Sequence, residues 1–282
     1  MAHRLGKNEE PAKALLRLTL VDLTQAARDF RNAASREERV HRVRQRLKRV
    51  RTILRVLEPA YGERVVAIRR DLSETARLLA GTRDADVAAA SARDLATTVP
   101  DDDLGLSRVV STLDEEAARA HHEHTPIGEV NRRLAAAIAA ISTFGDEYDG
   151  DALMTQALRR TYAKGRRVME RARSSLSTPD LHRWRKLVKQ LWYLLRLDRK
   201  RLPKHATKVA PDLERLGEVL GQDNDHALLA EKLALSPTGD FSLMSQLSLI
   251  AKRRNALEAE AFELGAKIFK RRPEGFMGRL KR

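Results

Sequence analysis

Apolar residues recur at three- and four-residue spacing along most of this 282-residue chain, and no stretch alternates convincingly as a strand would. Leu15, Leu16, Leu18, Val21, Leu23 and Phe30 predict a helix over residues 11–30. Ser35 and Glu38 form a capping-box pattern, each able to take the other's free backbone N–H, at the start of a helix reaching residue 58. Pro59 and Gly62 mark a turn. Helices over 64–79, 84–96, 106–124 and 130–144 follow, with breaks at Pro100 and Pro126.

The acidic, glycine-rich run from Gly145 to Asp151 reads as a boundary, after which the order of events recurs. A helix over 153–174 precedes Ser177-Thr178-Pro179-Asp180, where proline after a threonine cap opens a helix to residue 199. Pro203 and Pro211 bracket a turn, a helix runs on to Gly221, and a long last helix covers 241–271. The expected fold is all-α. It comprises a first helical bundle at 11–145, a second at 151–272 and a basic tail at 273–282, within one domain spanning 1–282.

Sliding the chain by 141 residues lays the segment from Val40 to Lys48 on that from Leu181 to Lys189 without a gap. His41 meets His182, Arg42 meets Arg183, Arg44 meets Arg185 and Lys48 meets Lys189. The same offset lays Asp71-Leu72 on Asp212-Leu213 and residues 79–84 on 220–225. Two segments sharing one offset predict two similar bundles related by a pseudo-twofold axis. A site at that axis draws equivalent residues from both halves.

On a helical wheel, Val40, Val43, Leu47, Val50, Leu54 and Leu57 form one apolar face, and His41, Arg44, Lys48, Arg51 and Arg55 a neighbouring basic one. In the second half Leu181, Trp184, Val188, Leu191 and Leu195 repeat the seam. His182, Arg185, Lys189 and Arg196 repeat the basic stripe, with Trp192 in the slot of Arg51. No acidic residue falls between Gln45 and Glu58. Like charges three and four apart destabilise a helix by a few tenths of a kcal/mol per pair, about 0.2–0.5. A single such stripe is well explained as a solvated face. Two copies in register, each with its histidine, point to an anion that neutralises them.

Charge widens this picture and composition narrows it. Lys and Arg total 54 against 39 acidic residues, a formal net charge of +15, which attracts polyanions. Nucleic acid, anionic membrane, heparin-like polymers and polyphosphate all fit that charge. A hydrophobic share of 42% excludes a disordered polyelectrolyte. There is no cysteine, hence no disulfide or thiolate metal site. The amino terminus lacks an apolar signal core, and no stretch approaches the roughly twenty apolar residues that span a bilayer. A cytoplasmic protein without membrane insertion is expected, of undetermined oligomeric state.

The pattern His-x-x-Arg-x-x-x-Lys, present twice and each time followed by a Leu-(Gly/Ala)-x-x-(Arg/Asn)-Asp segment, resembles the CHAD domain, the conserved histidine α-helical domain. The resemblance covers nearly the whole chain. It implies two bundles of about four helices each around a basic central pore, and binding of inorganic polyphosphate; granule association, phosphate storage and regulation stay open as its purpose. By motif match it assigns binding to His41, Arg44, Lys48, His182, Arg185 and Lys189, with Arg51 and Arg55 extending the stripe. Ala80 departs from it where Gly221 stands in the second half. No segment like the CYTH triphosphatase domain of many relatives is present, so hydrolysis is not expected and no cofactor is implied.

Arg159 and Arg166 fall near one side of the helix opening the second half and are further candidates for the groove, against an equal claim for a solvated surface. Asn224, Asp225 and His226 read as loop or helix-junction groups. His121 and His124 share a face but lack further ligands, so a helix end is preferred to a metal site. Two other functions remain open. A nucleic-acid binder, or weak nucleic-acid binding beside polyphosphate, lacks aromatic interleaving. A phosphoanhydride hydrolase lacks an acidic metal-binding cluster facing the stripe.

Overall fold

A computed structural model describes residues 4–32, 35–79, 81–98, 105–122, 126–203, 206–235 and 241–280. Among these there are eleven α-helices and no strand. In the first half they are α1 (Pro11–Asn32), α2 (Arg36–Tyr61), α3 (Glu63–Leu78), α4 (Gly81–Ala96), α5 (Leu106–His122) and α6 (Ile127–Ile141). In the second they are α7 (Gly150–Ser175), α8 (Thr178–Leu197), α9 (Ala210–Ala234), α10 (Phe241–Ile268) and α11 (Pro273–Leu280). No helix among the described residues is long and apolar enough to cross a membrane.

The succession of neighbours repeats. Helix α1 packs on α2 as α7 does on α8, α2 on α3 as α8 on α9, and α4 on α5 as α9 on α10. Burial explains the packing. Val43, Leu47, Val50 and Leu54 of α2 are fully buried, and so are Trp184 and Val188 of α8, with Leu181, Leu191 and Leu195 only 1% exposed. These are the seams read from periodicity. Trp184 stacks on Phe262 at 5.4 Å, and a Cβ on Gly265 would stand 2.6 Å from its ring, so α10 approaches α8 only because that residue is glycine.

The two hydrophobic cores do not divide at the expected boundary. The larger is continuous from α1, α2, α3 and α6 into α7, α8 and the start of α9. The smaller joins α4 and α5 to the far part of α9 and the near part of α10, through Ala88, Ala92, Leu113, Leu229 and Ile250. Each core therefore contains both halves. The boundary run is also packed rather than loose. Gly150 begins α7 against the backbone of Ala12, where a Cβ would stand 2.3 Å from its N, and the Tyr61 hydroxyl donates to the Gly145 carbonyl.

Several local expectations change. The side chain of Ser35 accepts from the Glu38 N–H at 3.1 Å as expected, but the Glu38 carboxylate pairs with Arg42. Helix α2 continues through Pro59 to Tyr61 and ends at Gly62, whose φ of 54° favours glycine. Ser177, not Thr178, caps α8. Helix α9 does not stop at Gly221. Burial of Leu220, Asp223, His226 and Leu229 carries it on to Ala234, so Asn224, Asp225 and His226 lie within a helix rather than in a loop. The expected basic tail contains α11, whose Phe276 stacks on Tyr162 at 4.0 Å. Ala80 and His124 lie outside the described residues.

Candidate anion-binding site

Helices α2 and α8 pack against each other, which brings the two basic stripes together. Arg51 and Arg55 of α2 are half-buried. Burial holds the Arg51 guanidinium below its ordinary pKa, with Arg69 and Arg77 of α3 adding to the effect. Arg55 is lowered to about 10, first by burial and then by Arg69 and Arg51, against a small opposing pull from Glu58. Lys186 of α8 is lowered too, by burial and then by Arg51, Arg185 and Arg55. A lysine of one half thus feels two arginines of the other. Among the described residues none accepts a hydrogen bond from the buried Nε of Arg51.

The basic residues on the outer side of α2 are used differently. Arg46 sits between Asp29 at 2.6 Å and the fully buried Asp22 at 3.3 Å. Arg42 pairs with Glu38. Their acidic partners come from α1 and from α2 itself, so this face is neutralised from within, while the face toward α8 gathers cations.

Small residues on the neighbouring helices seat the stripe. Arg44 Nη1 donates to the Ala76 carbonyl of α3 at 2.7 Å. In the second half, a Cβ on Gly217 would stand 2.8 Å from Lys189 Cε, and one on Gly221 would stand 3.4 Å from Arg185 Nε. His182 Nδ1 lies 2.6 Å from Asn224 Oδ1 of α9. Burial, Lys186 and Arg185 hold His182 below its ordinary pKa, although Asn224 and Asp225 pull the other way. His41 is exposed, and its Nε2 lies 2.7 Å from Gln45 Nε2. Arg196 stacks on Trp192 at 4.5 Å and reaches Glu214 at 3.9 Å, while Lys189 lies 5.7 Å from the same ring.

The family model of the CHAD domain matches residues 14–234. The chain belongs to the CHAD domain family. A crystal structure of the CHAD domain from the plant Ricinus communis has a similar fold, with a TM-score of 0.66 and 16% sequence identity, covering 96% of this chain and 95% of that one. No curated protein matches the chain.

Within this CHAD fold, nine of the proposed residues lie on α2 or α8: His41, Arg44, Lys48, Arg51, Arg55, His182, Arg185, Lys189 and Arg196. Arg196 lies on the last turn of α8 beside Trp192. Arg159 and Arg166 lie on α7 rather than on α2 or α8. Arg159 pairs with Glu274 of α11 at 2.8 Å, and Arg166 lies by the Tyr162 hydroxyl, which donates to the Ile268 and Arg271 carbonyls. Sequence reasoning missed Lys186 and Arg77, and also Arg69, although Arg69 pairs with Glu58. Lys186 matches Gln45 in the repeat and so dropped out of the paired motif; Arg69 and Arg77, eight residues apart on α3, carried a helical-face signal that was readable. Among the described residues no three His, Asp or Glu side chains come together as a metal site.

Proposed function

We propose that this CHAD protein binds inorganic polyphosphate, without hydrolysing it, along a basic central pore or groove formed by the two halves. The carrying observation is the convergence of Lys186 with Arg51 and Arg55 across α8 and α2. Cations gathered at a partly covered site repel one another, and a linear polyanion removes that repulsion. Guanidinium groups match pairs of phosphate oxygens, and lysine supplies point charge between them. The 141-residue offset and the recurring helix neighbours support a pseudo-twofold site that takes His41, Arg44 and Lys48 from one half and His182, Arg185 and Lys189 from the other. The proposed setting is the cytoplasm, at polyphosphate granules.

The test is titration of the whole chain with polyphosphate of several lengths, duplex DNA, RNA and heparin at physiological salt, with and without magnesium, together with an assay of released phosphate. Affinity that rises with polyphosphate length and exceeds that for nucleic acid is expected. Equal affinity for DNA and polyphosphate would sink the reading in favour of a general nucleic-acid binder. Phosphate release above a buffer control would make the protein a phosphoanhydride hydrolase.

A further inference from the structure

The two halves carry one built-in comparison. Lys48 and Lys189 are equivalent by the 141-residue offset, and so are Ala76 and Gly217 on the helices beside them. Lys48 is exposed, whereas Lys189 is half-buried. The difference coincides with one methyl group. At position 217 a Cβ would stand 2.8 Å from Lys189 Cε, 3.0 Å from Cδ and 3.2 Å from Nζ, so the lysine stem occupies the space that an alanine methyl would fill. Arg185 lies one turn away over Gly221 in looser contact, at 3.4 Å.

Glycine in a helix interior is disfavoured relative to alanine, since it has more backbone freedom to lose. Gly217 is fully inside α9, between the buried Leu216 and Val219, and its φ is not in the left-handed region, so no turn requires it there. What it does provide is room.

The geometry points to Gly217 as a positioning residue of the polyphosphate site: it lets Lys189 lie along α9, with the ammonium held in the second-half stripe beside the Trp192 ring. The inference rests on the polyphosphate reading. A side chain held in its binding geometry before the ligand arrives has less freedom to lose on binding. Gly217 touches no ligand and acts only through Lys189. An alanine there pushes the flexible end of the lysine off its seat and leaves the helix intact.

The experiment compares the full wild-type chain with Gly217→Ala, Lys189→Ala and the double variant, using polyphosphate of one defined length. It measures dissociation constants over a range of salt concentration, with helix content by circular dichroism. Gly217→Ala is expected to weaken binding about three- to tenfold, the upper figure corresponding to about 1.4 kcal/mol. It should also flatten the salt dependence and retain wild-type helix content. In the Lys189→Ala background the same change should add nothing. Wild-type affinity in Gly217→Ala would overturn the inference. So would an equal further loss in the Lys189→Ala background, which marks a role independent of the lysine. Loss of helix content would overturn it as well, because the methyl group is then not accommodated by a side chain that moves. Failure of the wild-type chain to bind polyphosphate refutes the underlying reading instead, and the glycine variants play no part in that result.

Discussion

His182 and Asn224 are joined by a hydrogen bond that sets the histidine tautomer. Nδ1 lies 2.6 Å from Asn224 Oδ1, and the Asn224 amide nitrogen turns to Asp225 Oδ1 at 3.3 Å. An amide oxygen only accepts, so Nδ1 carries the proton and Nε2 is the nitrogen whose protonation charges the ring. The bond crosses from α8 to α9, tying the stripe to the helix that seats Lys189.

A pH dependence follows. Burial, Lys186 and Arg185 depress His182 below its ordinary value of 6.5 in the folded protein. The unfolded chain then binds more protons below that value, so this group costs the fold stability as pH falls through 6.5 toward the depressed value, and costs nothing above it. A bound phosphate chain favours the charged ring, so binding takes up a proton. Polyphosphate affinity should rise as pH falls toward that window, by at most about tenfold per pH unit for one proton. Isothermal titration at stepped pH measures this, with His182→Gln expected to flatten the response. A wild-type profile flat from about pH 8 to 5.5 would refute it.

Lys186 faces two arginines of the other half. Replacing it with methionine removes repulsion but keeps most of the stem. Lys186 is itself exposed, so solvent screens much of that repulsion, and the ligand-free protein should gain no more than about 1 kcal/mol of stability. Polyphosphate should bind about tenfold more weakly, roughly 1.4 kcal/mol. Thermal melting and equilibrium binding read the two effects separately. A variant that is less stable and binds as well as wild type would show that Lys186 serves packing, not the site.

Two ion pairs should behave very differently. Asp223 is 1% exposed, and Arg254 Nε approaches it at 2.8 Å while Nη2 reaches Thr178 Oγ1 at 3.2 Å, tying α10 to α9 and to the start of α8. Arg254→Met strands a buried carboxylate and should cost about 3–5 kcal/mol. Arg93 and Asp114 are 56% and 45% exposed, so Arg93→Ala should cost no more than about 1 kcal/mol. Urea denaturation compares them, and equal losses would contradict this ranking.

Phe276 gives α11 a structural role. It stacks on Tyr162, which Phe269 also contacts at 5.2 Å. Phe276→Ala should destabilise the fold by about 3–5 kcal/mol, as a buried aromatic truncation does. A melting temperature unchanged from wild type would return residues 273–280 to the status of a loose basic tail.

Much of the fold is legible in the sequence. The apolar spacing of α2 and α8 marks the seams that are buried, because a 3.6-residue period leaves few choices of inward face. The 141-residue offset between His41 and His182 singles out α2 and α8, which pack against each other. End points are less legible. Pro59 and Gly221 have the character of breaks, yet α2 and α9 run through them. At Gly221 tertiary burial of Leu220, Asp223 and Leu229 outweighs the local preference, whereas Pro59 is exposed and α2 runs only two residues past it.

The helical class, a basic stripe that recurs 141 residues later and the family resemblance are all readable from spacing along a single chain. Which cations come together depends instead on how the helices pack. Arg46 and Lys186 look alike as letters. Packing gave Arg46 to Asp22 and Asp29, and set Lys186 against Arg51 and Arg55. Arg159 likewise went to Glu274, 115 residues away. Charge–charge energy depends on distance and burial, and neither is written in the order of residues.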